Sequence, residues 1–535
     1  ASYRNKGQAI DGWQQKALLR QQLGKATFSG DFFDLKSAQG VNESTWTRAQ
    51  LTAAYKLGKL MPGYTFQSDR NAITNQPADS VVTSAMNYNQ HMVFLQSADT
   101  AESGTSFRLD ANRRIDDRPV DGVLQRSDIS YTSNASFTTQ WKDRHVVSGV
   151  FTYRQLDDIL DTSEEKEETV QGRINWQSAW WERSIRSDLS LALLNGRELR
   201  REYVYIEVIP GQGTHTWRDD NGDGVQDLNE FYEAINPDER TYAKIFVPTD
   251  NYISAYQTIL NYSLELTAPA EWKSAGGFKS FLGRFSNVSA VLVDRKTQDS
   301  NWAQRFDVWS TPGTSEDELA YKNALRSRWF FNRADPKYGL DVGYQSTAGR
   351  QLLTGGWEAR NKKVWQLNTR TNLSADWAIF LQSEVGETES SSDIFSNRNY
   401  LIRQRQVKPQ LQWMPLQWLR ITSSVRYSHK RALPVSEEQG SDLTEYQIDW
   451  QMNKSLQSTI SGFVKVINMN FKGDEASPLG YEMLEALRPG TNYTWRLQWQ
   501  QRLKSGLRLQ INYDGRKSPS KSVIHFGGVQ VTALF

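Results

Sequence analysis

The sequence predicts an all-β protein that crosses an outer membrane as an antiparallel β-barrel of about 22 strands, with roughly 18–26 as the limits. Three observations predict it. The composition is polar yet rich in aromatics, apolar and polar residues alternate with period two, and the connections alternate between short and long.

Charged residues make up 23% of the 535-residue chain and aromatics 12%, among them 19 Trp and 22 Tyr. Mean hydropathy is −0.65. No run approaches the roughly 18 uncharged apolar residues of a spanning helix, which excludes helical insertion. In a barrel only alternate residues face lipid, so mean hydropathy stays low while Trp and Tyr gather at the two membrane interfaces. A barrel also escapes the core-size limit that would otherwise divide so long a chain into several domains. The absence of Cys removes disulfide, zinc-thiolate and thiol-nucleophile chemistry together. With 63 basic and 61 acidic residues, net +2, nucleic acid is not an expected partner. No secretory leader is visible at Ala1, so the expectation is a mature form or the C-terminal part of a longer chain.

The alternation recurs down the chain. Tyr493, Trp495, Leu497 and Trp499 oppose Thr494, Arg496, Gln498, Gln500 and Arg502. Leu507, Leu509, Ile511 and Tyr513 oppose Arg508, Gln510, Asn512 and Asp514. Similar sets lie at Tyr256–Thr267 and Leu419–Tyr427. A soluble sandwich also alternates, but here the polar face carries Arg, Gln and Asn over long spans.

Connection lengths are a second signal, because outer-membrane barrels have short periplasmic turns and long outer loops. Leu503–Gly506, Lys454, Met414–Gln417, Ser374–Trp377 and Trp141–His145 read as short. Between them Lys472–Gly490, Lys430–Ser441 and Glu387–Arg398 read as long. Pro269–Gly283 is the exception, a wide periplasmic connection. Trp141, Trp180, Trp181, Trp377, Trp413, Trp418 and Trp450 sit at short-turn ends, where a periplasmic girdle belongs. The chain ends in Phe535, which resembles the terminal aromatic signal of outer-membrane proteins. Residues 1–22 read as a lead-in, residues 23–535 as the barrel, and 201–250 as one long extracellular loop.

That loop contains Asp219-Asp220-Asn221-Gly222-Asp223-Gly224-Val225-Gln226-Asp227-Leu228-Asn229-Glu230, which matches a calcium-loop pattern. Asp219, Asn221, Asp223, Asp227 and Glu230 would supply side-chain oxygens, Val225 its carbonyl, and Gly224 the sharp turn. Hard oxygen donors at that spacing suit Ca2+; the plain alternative is a polar turn rich in Asp, Asn and Gly. No flanking helices are evident, so this is an isolated loop. Asp157, Asp158, Asp161, Glu164, Glu165, Glu167 and Glu168 read as a solvated outer loop. Gly480–Gly490 reads as a short amphipathic helix stopped by Pro489-Gly490, either capping the pore, meeting a partner or packing on the rim. The five His, at 91, 145, 215, 429 and 525, fall in no nucleophile motif, so no enzyme is expected.

Pro210–Asp219 with Leu228–Phe231, Phe246–Tyr252, Gly480–Gly490, and Tyr513–Lys517 with the ending at Phe535 resemble segments of large, poorly characterised outer-membrane proteins of Bacteroidetes. The matched segments cover about a fifth of the chain. The resemblance implies a C-terminal barrel behind a long β-rich N-terminal region, and no agreed activity. The family often has an aromatic where His215 stands, a position outside the candidate ligand set.

Three functions compete. The first is a scaffold or conduit subunit of an outer-membrane transport, assembly or export complex, partnered by surface lipoproteins or other barrels and embedded in outer-membrane lipids. The second is a solute channel, porin-like or a transporter barrel, although 22 lead-in residues cannot form the plug of a TonB-dependent transporter. The third is a surface enzyme, which the His inventory disfavours.

Overall fold

The computed structural model describes residues 2–5, 11–39, 41–75, 80–98, 104–142, 144–160, 166–299, 301, 317–353, 356–392, 398–433, 439–455, 457–503 and 506–533. Phe535 lies outside them, as do Asp161, Glu164 and Glu165 of the acidic stretch. Twenty-three of the described strands run ten residues or longer. They pair antiparallel with the long strands next to them in the chain, as in Tyr338–Leu353 against Gly356–Asn372 and Gly440–Ser455 against Ser458–Lys472. This is the up-and-down wall of a membrane-crossing β-barrel, as the sequence predicts. A spanning strand needs about 9–11 residues, so most of these strands reach past the hydrocarbon. No described helix is long and apolar enough to cross a membrane.

The chain divides into two compact units. The first comprises residues 1–179 with 187–196 and 256–260. One face of its strands exposes Tyr64, Val93, Leu109, Tyr131, Phe137 and Phe151. The other carries a polar ladder in which Asn134 donates to Asp110 at 2.8 Å, Thr152 donates to Asn134 at 2.8 Å, and Arg114 pairs with Asp116 at 2.6 Å. Asp121-Gly122 joins Thr105–Val120 to Val123–Trp141 with positive φ at both residues, a two-residue turn matched to strand twist. The strands ending at Trp141 and starting at His145 are also close in the chain, so two short connections follow one another here, because the Asp-Gly dipeptide closes its hairpin locally.

The second unit comprises residues 180–186, 197–255 and 261–535. Tyr427, Tyr446, Ile448, Val464 and Leu497 are exposed on one face. On the opposite face Arg426 meets Glu445 at 3.0 Å, Lys465 meets Glu445 at 3.6 Å and Arg496 meets Asp514 at 2.5 Å. The sides assigned to Leu497 and Arg496 from sequence are therefore those the strands adopt. Trp377 and Trp413 are directly paired and stack at 5.6 Å beside a short turn.

Three boundaries differ from the sequence reading. Asp11–Leu23, expected within the lead-in 1–22, is a strand hydrogen-bonded to Ala26–Gln39 through a Gly24-Lys25 turn. Its Leu18-Leu19 pair breaks the alternation and hid it. The loop expected over 201–250 is shorter, because the strands Ile185–Glu207 and Tyr242–Thr267 extend into it from both sides. Pro269–Gly283 is wide, as expected, and holds two short helices, Ala270–Ser274 and Phe278–Leu282. The helix expected over Gly480–Gly490 spans Pro478–Leu484, capped by the Ser477 hydroxyl. It ends at Glu485, whose φ is 53°, and not at Pro489-Gly490.

Candidate functional site

The segment between Glu207 and Tyr242 is a folded insert. His215–Trp217 pairs antiparallel with Phe231–Glu233, and His215 is also paired with Tyr242. The Asp/Asn/Gly run is thus the tip of a small hairpin. Phe231 is buried at its base, stacked on Tyr205 at 4.1 Å and set edge-on to Tyr242 at 5.0 Å.

Five of the six predicted calcium ligands bring their side chains to this tip. Asp219 accepts from the Gly222 and Gly224 amides at 2.7 and 3.0 Å, with both glycines at positive φ. Asn221 accepts from the Asp223 amide at 2.9 Å, and Asp223 from the Val225 amide at 2.7 Å. The Asn221 amide nitrogen donates to Asp223 at 3.0 Å and Asp227 at 3.5 Å, bridging the two carboxylates. Glu230, 1% exposed, accepts from the Trp217 indole at 2.9 Å and from the Asp220 and Asp227 amides at 3.2 and 3.4 Å. Among the described residues no group of three or more His, Asp or Glu is arranged to hold a metal ion. Val225, expected to offer its carbonyl, is exposed beside them.

Asp220 is bound to the Tyr232 hydroxyl and stands apart from the ligand set. Burial raises the Asp220 carboxyl above its ordinary range, partly offset by that hydrogen bond. Burial raises the Tyr232 phenol too, so it remains a donor. His215 is pushed down by burial and is therefore neutral at pH 7.

The insert is fastened by arginines that the sequence reading did not single out. Arg398 donates to the carbonyls of Asn229 and Phe231 at 2.8 and 3.0 Å. Arg516 holds Asp238 at 2.6 Å and Glu239 at 2.8 Å. Arg218 reaches the Glu475 carbonyl at 2.8 Å and lies over the Tyr481 ring at 5.2 Å. Tyr481 packs on Tyr232 at 4.9 Å and donates to the Glu233 carbonyl at 3.0 Å. Insert and helix thus form one assembly on the polar face of the strands.

The helix has its own anchor. Leu443, Ile467 and Met469 are apolar residues on the otherwise polar face, and with Leu484 they form a small buried core flanked by Phe471 and Leu487. Beside it Glu485 meets Arg426 at 3.0 Å and Lys430 at 2.9 Å. Burial alone would raise this carboxyl, but Lys430 and Arg426 outweigh it and hold its pKa at about 2. The break in polarity at positions 443, 467 and 469 was the signal in the sequence that could have located the docking site.

Between insert, helix and strands lies a cavity of about 850 Å³. Its wall carries the rings of Phe231, Tyr232, Tyr321, Tyr400 and Tyr481. Cations outnumber acids around it, with Lys244, Lys296, Lys322, Arg350, Arg360, Lys362 and Arg398 against Glu233, Asp294, Glu358 and Glu482.

No protein-family model matches the sequence, and no curated protein matches it. Among solved structures the chain is similar to the copper transporter OprC, at 11% identity over 95% of this chain and 75% of that one, with a TM-score of 0.34. It is similar to BauA, the ferric preacinetobactin receptor of Acinetobacter baumannii, at 8% identity over 97% and 76%, with a TM-score of 0.34. A variant of the porin of Rh. blastica matches at 8% identity over 65% and 86%, with a TM-score of 0.22. Long strands with one apolar exposed face, one charged face and tryptophans at the short turns make this chain an outer-membrane β-barrel protein.

Proposed function

We propose that this barrel is a conduit or scaffold subunit of a larger outer-membrane transport, assembly or export complex, shut by its own insert until a partner engages it. The observation that carries this reading is the fastening of the insert. A loop that merely stays soluble needs no arginine clamps, whereas half-buried Arg398, Arg516 and Arg218 fasten this one at three points. A barrel of this strand number has a wide lumen unless something fills it, and the polar face that the insert covers is the one that would line it. Exposed Ile209 and Leu228 on the insert give a partner protein an apolar foothold. Three regions that carry the Bacteroidetes resemblance, in the insert, the helix segment and the last hairpin, are the ones that meet here. The expected partners are lipids around the strands and a surface lipoprotein or second barrel at the insert.

The insert tip is proposed to bind one Ca2+ through Asp219, Asn221, Asp223, Val225, Asp227 and Glu230. In support, the Asn221 amide already bridges Asp223 and Asp227, the role a cation would take. Calcium would then stiffen the tip without joining the strand ladder.

Tagged full-length chain purified from native outer membranes tests the subunit reading. A companion at fixed stoichiometry, lost on Ile209→Asp with Leu228→Asp, is the expected result. A chain that travels alone overturns it. The cation-rich cavity favours a second reading, a channel for anionic solutes, which conductance measurements separate from the first.

A further inference from the structure

Connections at the short-turn end have little to do beyond reversing the chain, yet the one after Thr267 is built as a foot. Its helices Ala270–Ser274 and Phe278–Leu282 leave aromatic side chains in the open, with Phe278 72% exposed. Phe281 packs against Phe285 at 5.3 Å and Phe331 at 5.7 Å, and Phe331 continues to Tyr338 at 6.4 Å. Strand register identifies the face. Phe285 pairs with Phe331 and Phe331 with Leu340, on the side that exposes Trp329 and Val342 and opposite the polar side of Arg328 and Asp341. The aromatic cluster is therefore continuous with the apolar face.

The neighbouring turn adds a second part. Trp181, Glu182 and Arg183 all have positive φ, a conformation that L residues adopt only when something holds them there. Trp181 is set edge-on to Trp272 of the first helix at 5.3 Å. The same connections carry the exposed cations Arg183, Lys273, Lys279, Arg284 and Lys337 against Glu182, Glu271 and Asp335, and Arg284 donates to the Tyr338 hydroxyl at 3.4 Å. Rings in the acyl-headgroup boundary with cations above them match the chemistry of an anionic phospholipid surface. A protein partner would not require the rings to continue the lipid-facing belt.

We infer that the connection 269–284 is a membrane-interface foot that lies in the phospholipid leaflet at the short-turn end and concentrates anionic headgroups around it. This rests on the membrane-crossing reading of the strands. Because the chain has no Cys, Ser280→Cys and the control Val464→Cys each give one labelling site for an environment-sensitive fluorophore. The full chain is placed in phosphatidylcholine vesicles with or without phosphatidylglycerol, each lipid brominated in turn at a shallow or deep acyl position. The probe at 280 should be quenched by shallow bromines, several-fold more by the phosphatidylglycerol form than by the phosphatidylcholine form. That preference should fall towards equality in Lys273→Ser/Lys279→Ser/Arg284→Ser. If the probe at 464 is quenched and the probe at 280 remains in water, the foot is overturned while the strand reading stands. Equal quenching by the two lipids overturns the anionic preference. If neither probe is quenched, the membrane-crossing reading fails, and the foot fails with it.

Discussion

Replacing Glu485 with Gln keeps the size of the side chain and removes its charge. Glu485 is 24% exposed and is shared by Arg426 and Lys430, while Glu445 is shared by Arg426 and Lys465. The substitution takes this nest of three cations and two carboxylates from net +1 to net +2. Breaking a buried pair costs about 3–5 kcal/mol, but Arg426 keeps Glu445 and Glu485 is not fully enclosed, so about 2–3 kcal/mol is expected on the docking of residues 473–489. Amide exchange across that segment should then quicken by about 30- to 140-fold. Met483, fully buried in the same helix, gives an independent reference; Met483→Ala should cost about 2–5 kcal/mol through a cavity. The pH dependence has a definite sign. The Glu485 pKa is about 2 in the folded chain against an ordinary 4.5, so its stabilisation is complete above pH 4.5 and fades as pH falls towards 2. Protection of 473–489 should be level from neutral pH down to 4.5 and drop below it, and the Gln variant should lack that drop. Unchanged exchange in Glu485→Gln, alongside faster exchange in Met483→Ala, would refute the electrostatic latch.

Three further outcomes follow from the strand faces, the topology and the insert tip. Leu497→Arg places a charge on the lipid-facing side and should cost roughly 2–4 kcal/mol near mid-membrane, whereas Gln498→Arg should be nearly neutral; equal losses in urea unfolding from vesicles would reverse the face assignment. On intact cells, a membrane-impermeant thiol reagent should label Ser477→Cys in the helix segment and not Gln417→Cys in the turn of Leu416–Leu419, and the opposite pattern would invert the topology. Limited proteolysis between Gly211 and Glu239 should quicken on chelation in the native chain, while Glu230→Gln should be cut equally fast with or without chelator and keep its barrel; identical cleavage under all conditions would leave the tip a polar turn.

Most of the wall was legible because period-two alternation is a local property, and a polar residue on the apolar face costs too much to be common. It failed where local rules met exceptions. Leu18-Leu19 hid the strand Asp11–Leu23. The tip of the insert was also legible, since its Asp, Asn and Gly spacing encodes a local turn. What stayed hidden was the fastening. Arg516 meets Asp238 across 278 residues, and Tyr481 meets Glu233 across 248. Such pairs leave no spacing to read, and an arginine on the polar face looks the same whether it faces water or holds a loop. The helix end was misread for the same reason, because Glu485 leaves the helix to reach Arg426 and Lys430.

Planar-bilayer recording on the purified chain bears most directly on the conduit reading. With its insert latched, the chain alone should give no steady conductance, and Arg398→Gln/Arg516→Gln/Glu485→Gln, which releases the insert, should open a large and stable one. A steady large conductance from the unaltered chain, equal to that of the released variant, would contradict it and leave a solute channel in its place.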